Sequence, residues 1–72
     1  MSGLIKRSFS LAGHRTSVAL EPEFWAALMA LAAAQGHSLA AFVAALDNTR
    51  PPDRPLASVL RVHALLARPA GC

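Results

Sequence analysis

The stretch that most constrains this chain runs from Phe24 to Leu46, because it contains no charged residue and is interrupted only near its centre. Its length alone would suit a membrane span. The interruption, however, reads Gln-Gly-His-Ser at residues 35–38, and neither apolar half reaches the length that a bilayer requires. Alanine dominates both halves, and the larger apolar residues recur at helical spacing. The stretch therefore predicts a buried pair of helices joined by a tight turn, and no membrane partner.

Short signals define the ends of both helices. Pro22 follows Glu21, and proline at the first helical position presets φ without costing a hydrogen bond. Gly36 permits the left-handed conformation that ends helices, and Ser38 can cap the amides of the next turn. Ahead of Pro22, residues 15–20 alternate weakly, which indicates one strand. The predicted order is therefore strand, helix, tight turn, helix.

The two flanks predict further elements. Residues 6–11 alternate again and a turn-like Ala-Gly-His follows, so residues 6–20 could form a hairpin, or the first strand could cross to a partner chain. The sequence leaves both arrangements open. The prolines that follow the second helix exclude a helical connection, and apolar spacing then predicts a third helix. The predicted organisation is an arm at 1–5, a ribbon and helix-pair domain at 6–48, a proline-rich connection at 49–55, a C-terminal helix at 56–68 and a frayed tail at 69–72.

Size and cysteine content point to self-association. A chain of 72 residues buries only a modest core, and small scaffolds compensate with disulfides, metals or oligomerisation. The single cysteine, Cys72, excludes an internal disulfide, suits a reducing intracellular compartment and shows no metal-ligand spacing with the histidines. The apolar helix faces also exceed what one chain is expected to cover. We therefore expect a homodimer or a higher even oligomer, with no metal and no cofactor.

Charge is segregated along the chain. Residues 1–20 carry +3, residues 21–47 carry −3 and residues 48–72 carry +3. A basic ribbon suits phosphate binding, because neutralised phosphates release counterions, although ordinary solubilising charge explains three cations equally well. The sequence contains no nucleophile elbow, paired carboxylate site or glycine-rich phosphate loop. No catalytic residue and no enzyme activity is predicted.

From Arg15 to Leu46 the chain resembles, without a gap, the ribbon-helix-helix family of DNA-binding proteins. A narrower resemblance, to a small bacterial subgroup with an extra N-terminal strand and an extra C-terminal helix, is carried by KRSFSLAGHRTSVALEPEFW and by SVLRVHALLA. The resemblance implies a mainly α fold with a short β ribbon. It also implies an intertwined homodimer that inserts its two-stranded ribbon into the major groove of double-stranded DNA.

The resemblance assigns roles to individual positions. The family's inward strand positions fall on Thr16, Val18 and Leu20, and its outward, base-reading positions fall on Arg15, Ser17 and Ala19. Phosphate binding is implied at the start of the second helix and at basic residues of the ribbon: Ser38, Leu39, Ala40, His37, Lys6 and Arg7. Leu39 departs from the polar or basic residue that the family often has there. The implied dimer core consists of Val18, Leu20, Phe24, Leu28, Leu31, Phe42, Val43 and Leu46.

Three classes of function are compatible with these features. The first is a sequence-specific transcription regulator, a repressor, acting on the nucleoid in the bacterial cytoplasm. The second is a DNA-binding antitoxin whose C-terminal extension covers a toxin partner, and the third is a structural dimer that has lost DNA binding. Antitoxin tails are usually polar, whereas residues 56–67 are apolar enough to pack on their own dimer. The sequence therefore favours the regulator.

Overall fold

The structure, a computed structural model, describes residues 3–67. It begins with two antiparallel strands, which are followed by three helices. In chain order the elements are β1 (Ile5–Leu11), β2 (His14–Leu20), α1 (Pro22–Ala34), α2 (Leu39–Thr49) and α3 (Leu56–Leu66). This order confirms the predicted fold class, a mainly α chain with a short ribbon, an extra N-terminal strand and an extra C-terminal helix.

The first strand pairs within its own chain, which decides between the two arrangements that the sequence left open. The register of the hairpin runs from Ile5 opposite Leu20 to Leu11 opposite His14. Both turn residues have positive φ, 51° at Ala12 and 82° at Gly13. A two-residue turn of this kind matches the twist of the flanking strands, so the turn needs no third residue. His14, predicted in the turn, is therefore the first residue of β2, and Ile5, predicted in the arm, is the first residue of β1.

The turn between α1 and α2 has the geometry that its sequence predicts. Gly36 has a φ of 75°, and the amide of His37 donates to the carbonyl of Ala32 at 2.9 Å. The amide of Gly36 donates to the carbonyl of Ala33 at 3.0 Å. These two bonds satisfy carbonyls that the end of α1 leaves without helical partners. Ser38 then caps the next helix, which begins at Leu39, so only residues 35–38 separate the two helices.

The buried face of α1 keeps Leu28 of the predicted core but is shifted around the helix relative to the prediction. Its buried residues are Trp25, Leu28 and Ala32, whereas Phe24 and Leu31 are half-buried at the edge of the core. The reason is the extra strand. The indole Nε1 of Trp25 donates to the carbonyl of Ile5 at 2.8 Å. This bond turns Trp25 towards β1 and moves the predicted core residues Phe24 and Leu31 to the side.

Helix α3 packs against the core of its own chain. It contributes four buried residues, Leu56, Val59, Leu60 and Ala64, to the core that also contains the buried residues of β1, β2, α1 and α2. Phe42, Val43 and Leu46 of α2 are already buried within one chain. The third helix therefore helps to bury α2 within one chain, but Met29 of α1 and Leu65 and Leu66 of α3 stay exposed, so some apolar helix surface is left uncovered.

The connection between α2 and α3 is held by one arginine. Arg50 donates through Nε to Asp47 Oδ1 at 3.0 Å and through Nη1 to the carbonyl of Arg54 at 2.8 Å. Thr49, predicted in the connection, is the last residue of α2. The predicted C-terminal helix ends at Leu66, and Arg68 and the predicted tail at 69–72 lie outside the described residues. Within residues 3–67, no single helix is long and apolar enough to cross a membrane; α1 and α2 reach that length only as a pair bent by 94°.

Candidate nucleic-acid interface

One face of the β hairpin presents only short polar, small or basic side chains. The register places Lys6 opposite Ala19, Ser8 opposite Ser17 and Ser10 opposite Arg15, and directly opposite residues share a face of a sheet. We call these six residues the outward face. Phe9, Leu11, Val18 and Leu20 point to the other side and are buried. The alternation therefore brings the predicted base-reading residues together on the outward face, with Arg15 and Ser17 exposed and Ala19 half-buried.

The outward face carries positive charge and a linked pair of hydroxyl groups. Lys6 and Arg15 supply two cations, and none of its six residues is acidic. Ser8 Oγ and Ser17 Oγ lie 3.1 Å apart and form a hydrogen bond, in which either oxygen can be the donor. This bond joins the extra strand to the centre of the predicted base-reading set. The face is therefore suited to an anionic ligand with hydrogen-bonding groups.

Arg7 lies on the opposite side of the hairpin from Lys6. Its guanidinium carbon is 5.5 Å from the centre of the Trp25 ring, a distance typical of a cation–π contact. Trp25 is itself held by its bond to the Ile5 carbonyl and by the Phe9 ring, whose centre is 5.9 Å away. The structure therefore does not bring Arg7 to the outward face, although the sequence grouped it with Lys6.

The start of α2 forms a second polar site. Ser38 Oγ accepts a hydrogen bond from the amide of Ala41 at 3.1 Å, which confirms the predicted N-cap. The geometry of a helix leaves the amides of Leu39 and Ala40 without acceptors inside the helix. Ser38 and Ala40 are exposed, and so is the side chain of His37, whereas Leu39 packs against the core. A helix N-terminus of this kind attracts anions through its amides and its dipole.

No metal site is formed by the part of the chain that the structure describes. Within residues 3–67 there is no group of three or more His, Cys, Asp or Glu side chains close enough to hold an ion.

The model of a ribbon-helix-helix domain matches residues 4–67. This match covers both strands and all three helices. The chain belongs to the ribbon-helix-helix family. Its members are DNA-binding regulatory proteins rather than enzymes, and they typically form dimers that bind DNA. Membership therefore supports a DNA-binding regulatory role in general.

No curated protein and no solved structure matches the chain significantly. The positions within the ribbon-helix-helix domain must therefore be assigned from the geometry of this chain.

The outward face of the ribbon contains residues that were not assigned to the site from the sequence. Ser8 and Ser10 were not predicted as site residues, yet the register sets them beside Ser17 and Arg15 on the outward face. Their alternation with Phe9 and Leu11 was visible in the sequence. What the sequence lacked was the register, because the pairing of residues 6–11 within the chain was undecided.

Proposed function

We propose that this chain is a sequence-specific DNA-binding transcription regulator, a repressor, which acts as a homodimer on the bacterial nucleoid in the cytoplasm. Two β2 strands, one from each chain, pair antiparallel and enter the major groove together. Occupation of an operator in this way blocks access to the promoter. We propose no enzyme activity for this chain.

The outward phase of Arg15, Ser17 and Ala19 is the observation that carries the proposal. A two-stranded ribbon fits the major groove and reads bases with the side chains of alternate positions. Arginine can donate two hydrogen bonds to guanine, serine accepts several bases, and alanine offers a methyl contact to thymine. Because only Arg15 is a strong reader, we expect modest specificity in each half-site and a preference for inverted repeats.

The dimer would form through the edge of β2 that β1 does not occupy. Among the described residues the sheet has two strands, so β2 has one edge available for a second copy. The half-buried Phe24 and Leu31 lie at the border of the core and can extend it across the two-fold axis. The other predicted dimer-core residues are already buried in each chain and would pack behind this interface.

Phosphate contacts would position the ribbon on either side. Lys6 on the outward face and the amides of Leu39 and Ala40, capped by Ser38 and flanked by His37, form the proposed anchors. Arg7 could join them only if its guanidinium left the Trp25 ring. Affinity at the start of α2 would rest on backbone amides, because Leu39 cannot contact a phosphate through its side chain.

The Arg15→Ala variant tests the base-reading role. It should cost about 1–3 kcal/mol at a cognate site selected from random DNA and relax the preference at one base pair per half-site. The fold should persist, because an exposed arginine supports no core. Titrations on cognate and scrambled duplexes at two salt concentrations provide the measurement. Arg54→Ala, which removes an exposed cation from the connection, is the matched control and should change neither affinity.

Two results would contradict the proposal. An equal loss on cognate and scrambled DNA would make Arg15 a phosphate contact and not a base reader. A folded monomer at micromolar concentration, detected by light scattering, would remove the two-stranded ribbon on which major-groove insertion depends.

Ser38→Ala tests the phosphate anchor separately. Loss of the bond to the Ala41 amide should cost about 1 kcal/mol of folding stability. Binding to cognate and scrambled DNA should weaken by the same factor, because phosphates carry no sequence information. A changed sequence preference with intact nonspecific affinity would show that the anchor is misassigned.

The antitoxin alternative receives no support from α3. A toxin-covering extension typically folds on its target, whereas Leu56, Val59 and Leu60 are buried against the helices of their own chain.

A further inference from the structure

The width of the proposed sheet sets where its outer strands can lie. With β1 beside β2 in each chain, a dimer joined through β2 contains four strands in the order β1, β2, β2, β1. Neighbouring strands lie about 4.8 Å apart, so the two β1 axes are separated by about 14 Å. The major groove is about 12 Å wide. The two central strands therefore fit between the walls of the groove, but the two β1 strands do not, and each meets a sugar-phosphate wall.

The outward side chains of β1 have the chemistry that such a wall requires. They are Lys6, Ser8 and Ser10, a cation and two short hydroxyl groups. Lysine and serine are common donors to phosphate oxygens. The short serine side chains also allow the strand backbone to come close to the wall. Ser8 is engaged with Ser17 at 3.1 Å, which leaves Lys6 and Ser10 near the two ends of β1 as the available donors.

The inner side of β1 is fixed to the core, so these donors are held in place before DNA binds. Phe9 and Leu11 are buried, and the Trp25 indole bonds to the Ile5 carbonyl at 2.8 Å. A strand anchored in this way loses little freedom when it binds, which favours affinity. The anchoring separates β1 from a loose basic arm, which would have to become ordered on the DNA.

We propose that β1 is the phosphate-contacting outer strand of the DNA face, with Lys6 and Ser10 bound to the groove wall on each side of the dimer. This inference rests on the proposed function, since it takes the β2 pair as the centre of the ribbon. It assigns Ser10 a new role and gives Lys6 a defined location. Bases are read by β2, and the depth at which β2 can enter the groove is set by β1.

The test uses the full chain, a duplex selected from random DNA and a scrambled duplex of the same length. Lys6→Ala removes two cations per dimer. Because each neutralised phosphate contributes about −0.9 to the slope of log K against log salt, the slope should become shallower by about 1.8 on both duplexes. Ser10→Ala removes an uncharged donor, so it should weaken both duplexes roughly tenfold and leave the slope unchanged. Neither substitution should change the base preference.

Matched controls lie away from the outward face. Arg54→Ala removes an exposed cation from the connection, and Ser58→Ala removes a hydroxyl from α3. Both should bind as the unaltered protein does. Circular dichroism of every variant identifies any that has lost its fold, and the Lys6→Gln or Ser10→Val variant, which also lacks the cation or the hydroxyl, then replaces it.

The outcomes separate this inference from the proposed function. If Lys6→Ala or Ser10→Ala shifts the base preference, β1 lies inside the groove and the outer-strand assignment is overturned. If both variants bind like the controls while Arg15→Ala relaxes the preference, the outer-strand inference alone fails. If the unaltered protein shows no salt-dependent DNA binding, the proposed function fails, and this inference fails with it.

Discussion

Two elements, β1 and α3, are added at opposite ends of the strand-helix-helix core, and they attach to it differently. Helix α3 attaches by burial, with Leu56, Val59, Leu60 and Ala64 inside the core. Strand β1 attaches by a backbone ladder to β2, by the Trp25 indole and by only two buried side chains. Every second residue of β1 faces away from the core. Helix α3 therefore completes the core, whereas β1 adds to the core on one face and forms a polar surface on the other.

This difference predicts two patterns of substitution. Changes in α3 should act on folding stability, and changes on the inner side of β1 should act first on the hairpin. Changes on the outward face of β1 should act on DNA alone.

Leu60→Ala should lower the free energy of unfolding more than the other substitutions. Leu60 is completely buried in α3, and truncation of a buried leucine costs about 2–5 kcal/mol through lost burial and the cavity left behind. A domain of this size has a core worth only about 3–5 kcal/mol, so the variant should be largely unfolded or close to it. Urea denaturation followed by circular dichroism measures the loss.

The control for Leu60 lies on the same helix. Leu66→Ala removes a side chain that is 78% exposed, and its effect on the free energy of unfolding should be within about 0.5 kcal/mol. A Leu60→Ala variant as stable as this control would show that α3 does not complete the core.

Trp25→Phe should loosen β1 more than α3. The substitution keeps an aromatic ring but removes the indole bond to the Ile5 carbonyl, and it should cost about 1–3 kcal/mol. Hydrogen exchange should reveal faster opening of the β1 amides than of the α3 amides. Met29→Leu, on the exposed side of α1, is the control. Equal acceleration in both elements would mean that β1 and α3 are parts of one cooperative unit.

Substitutions in the hairpin turn should change the free energy of unfolding by less, and one of them should raise it. Ala12 adopts a φ of 51°, where an L residue other than glycine is strained by roughly 1–2 kcal/mol. Because glycine also loses more backbone entropy on folding, Ala12→Gly should raise the free energy of unfolding by about 0.5–1 kcal/mol. Gly13→Ala, at a φ of 82°, should lower it. Thermal denaturation compares the two variants, and a stabilised Gly13→Ala protein would contradict the assigned turn.

Local signals explain why most of the fold could be predicted from the sequence. Pro22, Gly36 and Ser38 each act on the residues next to them, and each has the predicted role in a helix end. The phase of β2 followed from the alternation that ends in Val18 and Leu20. Such features need no knowledge of distant contacts, and they also placed the predicted base-reading residues on one face.

The misjudged positions depend on contacts between distant parts of the chain. Trp25 displaced Phe24 from the centre of the core because its indole bonds to a carbonyl twenty positions earlier. Arg7 was grouped with Lys6 by charge alone, although alternation places it on the inner side of β1 with Phe9 and Leu11, where its guanidinium lies 5.5 Å from the Trp25 ring centre. The packing of α3 on α2 depends on the direction that the connection gives to the chain, which no local sequence pattern specifies. Ser10 was overlooked because only the register of the hairpin sets it beside Arg15.

The smallest effect is expected from the charged contact between α3 and the start of α1. Arg61 Nη2 lies 3.3 Å from Glu21 Oε1, and the two side chains are 38% and 42% exposed. Exposed ion pairs typically contribute between 0 and about 1 kcal/mol, because solvent screens the attraction and both side chains lose freedom.

Arg61 also covers the Phe24 ring at 5.9 Å, so truncating it would remove packing as well as charge. A double-mutant cycle with Glu21→Gln and Arg61→Gln isolates the coupling, which should be below about 0.5 kcal/mol and should vanish at high salt. A coupling above about 1.5 kcal/mol that persists in salt would mean that α3 is attached by charge as much as by burial.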